Sequence, residues 1–76
     1  MDERETGQTH LVEYDGLVRR SLANDLFEID LADGRQVLAH LSAGARLRAL
    51  RVGAGDRVRV ELARYDRTRG RITGRA

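Results

Sequence analysis

In Leu26-Phe27-Glu28-Ile29-Asp30-Leu31, apolar and acidic side chains alternate without a break. A period of two puts Phe27, Ile29 and Leu31 on one face of a strand and Glu28 and Asp30 on the other. Ala32-Asp33-Gly34-Arg35 follows, and Asp-Gly between alternating runs signals a tight hairpin. The returning run, Gln36 to Leu41, then buries Val37, Ala39 and Leu41 and exposes His40. Arg57-Val58-Arg59-Val60-Glu61-Leu62 repeats the pattern, with Val58, Val60 and Leu62 inward and Arg57, Arg59 and Glu61 toward water. Such half-buried strands need one another to close a core.

The remaining segments fill in the order. His10 to Arg20 reads as a long first strand in which Gly16 marks a bulge or sharp coil. Asn24-Asp25 supplies a turn. Ser42 is placed as the N-cap of a short helix from Ala43 to Leu50, with Leu47 and Leu50 on one side and Gly44 weakening it. Gly53-Ala54-Gly55-Asp56 breaks the chain, Tyr65 to Gly70 reads as a turn, and Arg71-Ile72-Thr73 as a last short strand. Met1 to Thr9 is polar, acidic and without periodicity, which predicts a disordered tail ahead of a domain over residues 10–76. Five strands with one helix between the third and fourth predict an all-β OB-fold, a five-stranded Greek-key barrel used for oligonucleotide binding. An SH3-like barrel has a similar strand count; the helix position favours the OB-fold.

Seventy-six residues allow one core, and a domain this small buries only about 60% of its unfolded surface. Without cysteine there is no disulfide, thiol nucleophile or zinc ribbon. His10 and His40 stand far apart, so no metal or other cofactor is expected, and no nucleophile–base pair points to an enzyme. Glu28 and Asp30 share a face but read as a solvated strand. No apolar run approaches the roughly 18 residues of a membrane span, and the acidic start is unlike a signal peptide, so a cytoplasmic protein without membrane contact is expected.

Charge carries the functional signal. The formal net charge of +2 hides two unlike halves. Arg35 to Ala76 holds 11 arginines against Asp56, Glu61 and Asp66, a net +8; Met1 to Gly34 holds Arg4, Arg19 and Arg20 against 9 acids, a net −6. Such asymmetry points to a polyanionic partner for one face. There is no lysine; the planar guanidinium suits phosphates and stacks on bases, although a bias toward arginine codons gives the same composition.

The chain resembles bacterial translation initiation factor one from Glu13 to Arg75. The resemblance is carried by Gly16-Leu17-Val18, Asn24 with Leu26-Phe27, Asp33-Gly34 and Ala39-His40-Leu41-Ser42. Arg46, Arg51-Val52, Gly55-Asp56-Arg57-Val58, Val60-Glu61-Leu62, Tyr65-Asp66 and Gly70-Arg71-Ile72 continue it in order. It implies an OB-fold, monomeric and without catalytic activity, bound to the small ribosomal subunit at the aminoacyl-tRNA site. The implied contacts are ribosomal RNA of the decoding site and a neighbouring ribosomal protein. The implied role is to block premature tRNA access and to support the other initiation factors. The sequence departs from the family where lysines give way to Gly44 and Leu47, Arg48 replaces Asn, Arg64 stands where Pro is common, and the acidic start is longer. Those departures also fit a divergent paralogue.

The candidate RNA-binding set carried over is His40, Ser42, Arg46, Arg48, Arg51, Arg64, Tyr65, Arg69, Gly70, Arg71 and Arg75. Arg46, Arg48 and Arg51 cluster on the helical segment and Arg69 and Arg71 flank Gly70, which favours RNA contact for both groups. Tyr65 fits a base stack as well as packing on Leu62, and Arg57 and Arg59 fit phosphate ligands as well as a solvated face. Two other functions remain open: a generic OB-fold module for single-stranded RNA or DNA, which would want more aromatics, and a protein-interaction adaptor using the acidic half.

Overall fold

The computed structural model describes residues 11–23 and 25–76; the expected tail over 1–9, His10 and Asn24 lie outside the described residues, as does the side chain of Arg67. Along the chain run β1 (Leu11–Ser21), β2 (Leu26–Leu31), β3 (Gln36–Leu41), α1 (Ala43–Leu47), β4 (Arg57–Ala63) and β5 (Asp66–Arg75). The strands form a closed barrel in the order β1-β2-β3-β5-β4. All neighbours are antiparallel except β3 and β5, which run parallel from Leu38 opposite Arg69 to Leu41 opposite Ile72. Five strands closing around one core, with a short helix between the third and fourth, make the OB-fold.

The alternating runs bury the side chains their period predicts. Phe27, Ile29 and Leu31 from β2, Val37, Ala39 and Leu41 from β3, and Val58, Val60 and Leu62 from β4 fill the barrel, with Val18, Ala45 and Ile72. Tyr14, Leu50 and Val52 pack against this core from its margins.

β1 is long because it serves two neighbours. It pairs with β4 from Leu11 to Leu17 and with β2 from Gly16 to Ser21, so Gly16 and Leu17 bond both ways. A Cβ on Gly16 would collide with Ile29 Cγ2 and stand 3.3 Å from the Asp30 carbonyl oxygen. Glycine is thus required by the close approach of β2. The register irregularity falls between Val18 and Arg20, beyond Gly16 rather than at it.

Two expectations from sequence are corrected. The predicted turn from Tyr65 to Gly70 is instead mostly strand: only Arg64 and Tyr65 turn, and β5 starts at Asp66. Polar residues conceal it, since the β4 ladder slips between Leu62 and Ala63 while Arg69 and Gly70 find partners on β3. Pairing across the barrel, not local alternation, makes this segment extended.

The helix is also shorter than expected. Ser42 Oγ accepts from the Ala45 N–H at 3.1 Å, an N-cap contributing on the order of 1 kcal/mol. Past Arg48, Ala49 turns left-handed at φ 55°. Leu50 N–H then reaches the Ala45 carbonyl at 3.0 Å and Ala49 N–H the Arg46 carbonyl at 3.0 Å. Those two bonds make the Schellman closure, which swings the following residue back onto the core. So Leu50 packs inward, while Leu47, expected beside it, stays 88% exposed.

Candidate nucleic-acid interface

Parallel pairing of β3 with β5 joins residues some thirty positions apart in sequence. His40 lies opposite Arg71 and Leu38 opposite Arg69, and His40, Arg69 and Arg71 are all exposed. Leu26, Leu38, His40 and Arg69 line a shallow hollow of about 100 Å³. Directly after β3, Ser42 N–H donates to the Ile72 carbonyl at 2.9 Å, which fixes the start of α1 beside β5.

The arginines around α1 divide by what they already hold. Arg48 Nη2 donates to the Thr73 carbonyl at 2.8 Å, and Arg75 Nη2 donates to the Arg51 carbonyl, so both strap α1 and its following loop to the end of β5. Arg75 also faces Asp56 at 3.6 Å, whose carboxylate accepts the Gly53 N–H at 2.9 Å. Arg46 stands 3.6 Å from Asp25 and Arg71 3.1 Å from Glu61. Arg51, Arg57 and Arg69 have no carboxylate partner among the described residues.

One contiguous surface therefore carries Ser42, Arg46, Arg48, Arg51 and Arg75 at the helix end, and His40, Arg69 and Arg71 along β3 and β5. Gly70 lies in this ladder opposite both Ala39 and Leu62, where its missing side chain lets β4 and β5 close. Arg64 and Tyr65 sit apart from the helix, in the turn at the opposite end of β5. The eight residue steps from Tyr65 to Thr73 span roughly 26 Å of extended chain. Tyr65 is 78% exposed, so its ring lies outside the barrel rather than packed into it. Arg57 and Arg59 lie on β4, and Arg59 approaches Asp15 at 3.9 Å.

Among the described residues, most carboxylates of the acidic half already face arginines. Arg19 binds Asp30 at 2.8 Å, Arg20 binds Glu28 at 2.8 Å, and Arg35 binds Asp33 at 2.8 Å. Arg35 also lies 5.1 Å from the centre of the Tyr14 ring, a cation–π distance. A larger groove of about 490 Å³ is lined by Asp15, Leu17, Asp30 and Arg57 among others, and both of its carboxylates already face arginines of this chain. Sequence reasoning missed Asp25 and Glu61 as partners of the candidate arginines. Each pairing depends on barrel closure, so no local signal in the sequence marks it.

These pairs leave a signature in acid. The Gln36 amide and then the Arg19 guanidinium hold the Asp30 carboxyl below its ordinary value. The Arg35 backbone N–H and then its side chain do the same for Asp33. Because the folded pKa values are depressed, their stabilisation is complete above the unfolded aspartate value of about 3.9 and is lost as pH falls through the folded values. Asp30→Asn should flatten the fall in thermal midpoint between about pH 5 and pH 2, and a pH-dependence identical to wild type would refute this assignment.

Among the described residues no helix is long and apolar enough to cross a membrane, and no group of three or more His, Cys, Asp or Glu side chains could hold a metal ion. The family model for translation initiation factor 1A / IF-1 matches residues 3–76. The solution structure of translation initiation factor IF-1 from the Wolbachia endosymbiont strain TRS of Brugia malayi is similar at a TM-score of 0.75 and 35% identity. That match covers 88% of this chain and 79% of the other. A family match over nearly the whole length, on a barrel with the same architecture, makes this chain a member of the translation initiation factor 1A / IF-1 family.

Proposed function

We propose that this initiation factor binds the small ribosomal subunit at the aminoacyl-tRNA site through the surface formed by α1, β3 and β5. Ribosomal RNA of the decoding site and a neighbouring ribosomal protein are its contacts there. Occupancy blocks premature tRNA access and supports the other initiation factors; the protein acts as a monomer in the cytoplasm and catalyses nothing. The observation that carries this reading is the β3–β5 ladder, which brings His40, Arg69 and Arg71 together, with Arg48 just past α1 bonded to the Thr73 carbonyl at its end. Guanidiniums on a rigid barrel position phosphates, and the shape of the surface selects the RNA.

A generic single-strand binder is less well supported. Phe27 is buried and Tyr14 lies under Arg35, which leaves Tyr65 as the highly exposed aromatic of the described residues. A stacking platform needs several. An adaptor using the acidic half is disfavoured because Asp15, Asp25, Glu28, Asp30 and Asp33 all face arginines of this same chain.

Co-sedimentation of the purified protein with isolated small subunits tests the proposal. Saturable one-to-one binding, strengthened by the other two initiation factors, is the expected result. A folded protein that stays in the supernatant at moderate salt would overturn it.

A further inference from the structure

Arg69 is an exposed cation in the β3–β5 ladder that no carboxylate of the described barrel answers. The acids around it are engaged elsewhere: Glu61 holds Arg71 at 3.1 Å, Glu28 holds Arg20 at 2.8 Å, and Asp66 accepts the Thr68 hydroxyl at 2.9 Å. Leu26, Leu38 and His40 line the shallow hollow beside it, and none of them is anionic. Asp2, Glu3 and Glu5 lie in residues 1–10, outside the described residues, and with Arg4 they give that segment a net −2.

Strand register brings the root of that segment close to Arg69. Val12 pairs with Leu62 and Leu62 with Gly70, so the start of β1 stands two strand spacings, roughly 10 Å, from the residue beside Arg69. Six residue steps separate Glu5 from Leu11 and nine separate Asp2 from it, roughly 20 and 30 Å of extended chain. Arg57 and Arg51, which also lack a carboxylate partner among the described residues, are worse placed. Arg57 lies opposite Leu17, roughly 20 Å along β1 and past the exposed Glu13 and Asp15. Arg51 sits beyond α1, where its carbonyl meets Arg75 at the far end of β5.

We propose that residues 2–5 fold back onto the exposed face of the β3–β5 ladder, set their carboxylates against Arg69, and compete there with RNA phosphates. Within the barrel Arg69 has no partner to leave; what RNA displaces is this segment. A short tether keeps the carboxylates near millimolar concentration at the ladder, while each exposed ion pair is weak. The segment therefore trims RNA affinity a few-fold and does not close the surface. Docking stands on charge and reach, and its effect on RNA rests on the ribosome-binding reading above.

The test compares full-length protein with the variant Asp2→Asn/Glu3→Gln/Glu5→Gln, which keeps the chain length. Amide NMR at low salt reads docking, and titration of small subunits over a salt series reads competition. Neutralisation should shift the amides of Leu38, Arg69 and Gly70 and leave the thermal midpoint in place. Subunit affinity should rise about threefold at low salt, and the two proteins should converge at high salt as screening removes the contact. In an Arg69→Ala background the same neutralisation should bring no gain.

Unmoved amides would overturn the docking, and shifts at Leu17 and Arg57 would place the segment in the larger groove instead. Shifts that grow with protein concentration would assign the contact to a second copy's segment and overturn the fold-back. An equal gain in the Arg69→Ala background would reduce the effect to net charge. Amide shifts with identical subunit affinities would overturn the competition and take RNA off Arg69. Amide shifts in a protein that binds no subunits would sink the ribosome-binding reading and leave the docking standing.

Discussion

Gly70→Ala should cost this barrel about 3 kcal/mol and lower its thermal midpoint by roughly 15 °C. A Cβ at this position would stand 2.5 Å from Leu62 Cδ2, 2.6 Å from the Glu61 carbonyl oxygen and 2.9 Å from Val60 Cγ1. A side-chain methyl can rotate away, but the Glu61 carbonyl belongs to the β4 ladder and cannot move without disturbing it. Gly70 is also paired with Ala39 on β3, so β5 has no free direction in which to retreat. A domain of 76 residues has a thin margin, commonly 5–15 kcal/mol at about 0.05–0.15 kcal/mol per residue, and falls at its lower end. Gly44→Ala is the control. Its Cβ would meet only Arg48 Nη1, at 3.6 Å, and alanine in place of glycine in a helix should stabilise by up to about 1 kcal/mol. Thermal unfolding followed by circular dichroism reads both variants. A Gly70→Ala midpoint within about 2 °C of wild type would show that β4 and β5 can part more easily than their register implies.

That prediction bears on how the site can be dissected, because Gly70 belongs to the candidate RNA-binding set. Loss of subunit binding in Gly70→Ala would report a damaged barrel, not a lost contact. The same separation explains what was readable in the sequence. Strict alternation located β2, β3 and β4 and their buried side chains, since a period of two on a half-buried strand is a local signal. β5 was legible only at its end, around Ile72, because its first half is held by β3 and the slipped β4 ladder rather than by its own pattern. The helix was recognised from Ser42, but its end depends on Ala49 adopting a left-handed conformation, which alanine does not advertise. The arginine clusters were visible as charge. Their division into straps, paired cations and cations with no carboxylate partner among the described residues was not, because Thr73, Asp25, Glu61 and the Arg51 carbonyl reach them only once the barrel closes.

Arg51→Ala with Arg69→Ala should weaken subunit binding roughly hundredfold at moderate salt while leaving stability within about 0.5 kcal/mol of wild type. Neither guanidinium has a carboxylate partner among the described residues, so the barrel loses little when they go, and neither must leave a partner to reach a phosphate. Each removed phosphate contact should also reduce the slope of log affinity against log salt by about 0.7–0.9. Arg46→Ala with Arg71→Ala should lose less affinity, because those cations must first release Asp25 and Glu61 and recover only the difference. Arg48→Ala with Arg75→Ala should show the opposite balance. Its main effect is a lower thermal midpoint, since it cuts the straps from Thr73 and Arg51 that seat α1 against β5. Measuring affinity, salt slope and midpoint on all three double variants separates binding from folding residue by residue. Equal affinity losses across the three pairs, with an unchanged salt slope, would mean that the surface works by shape alone. It would then remove the guanidinium–phosphate basis for placing RNA on α1 and β5.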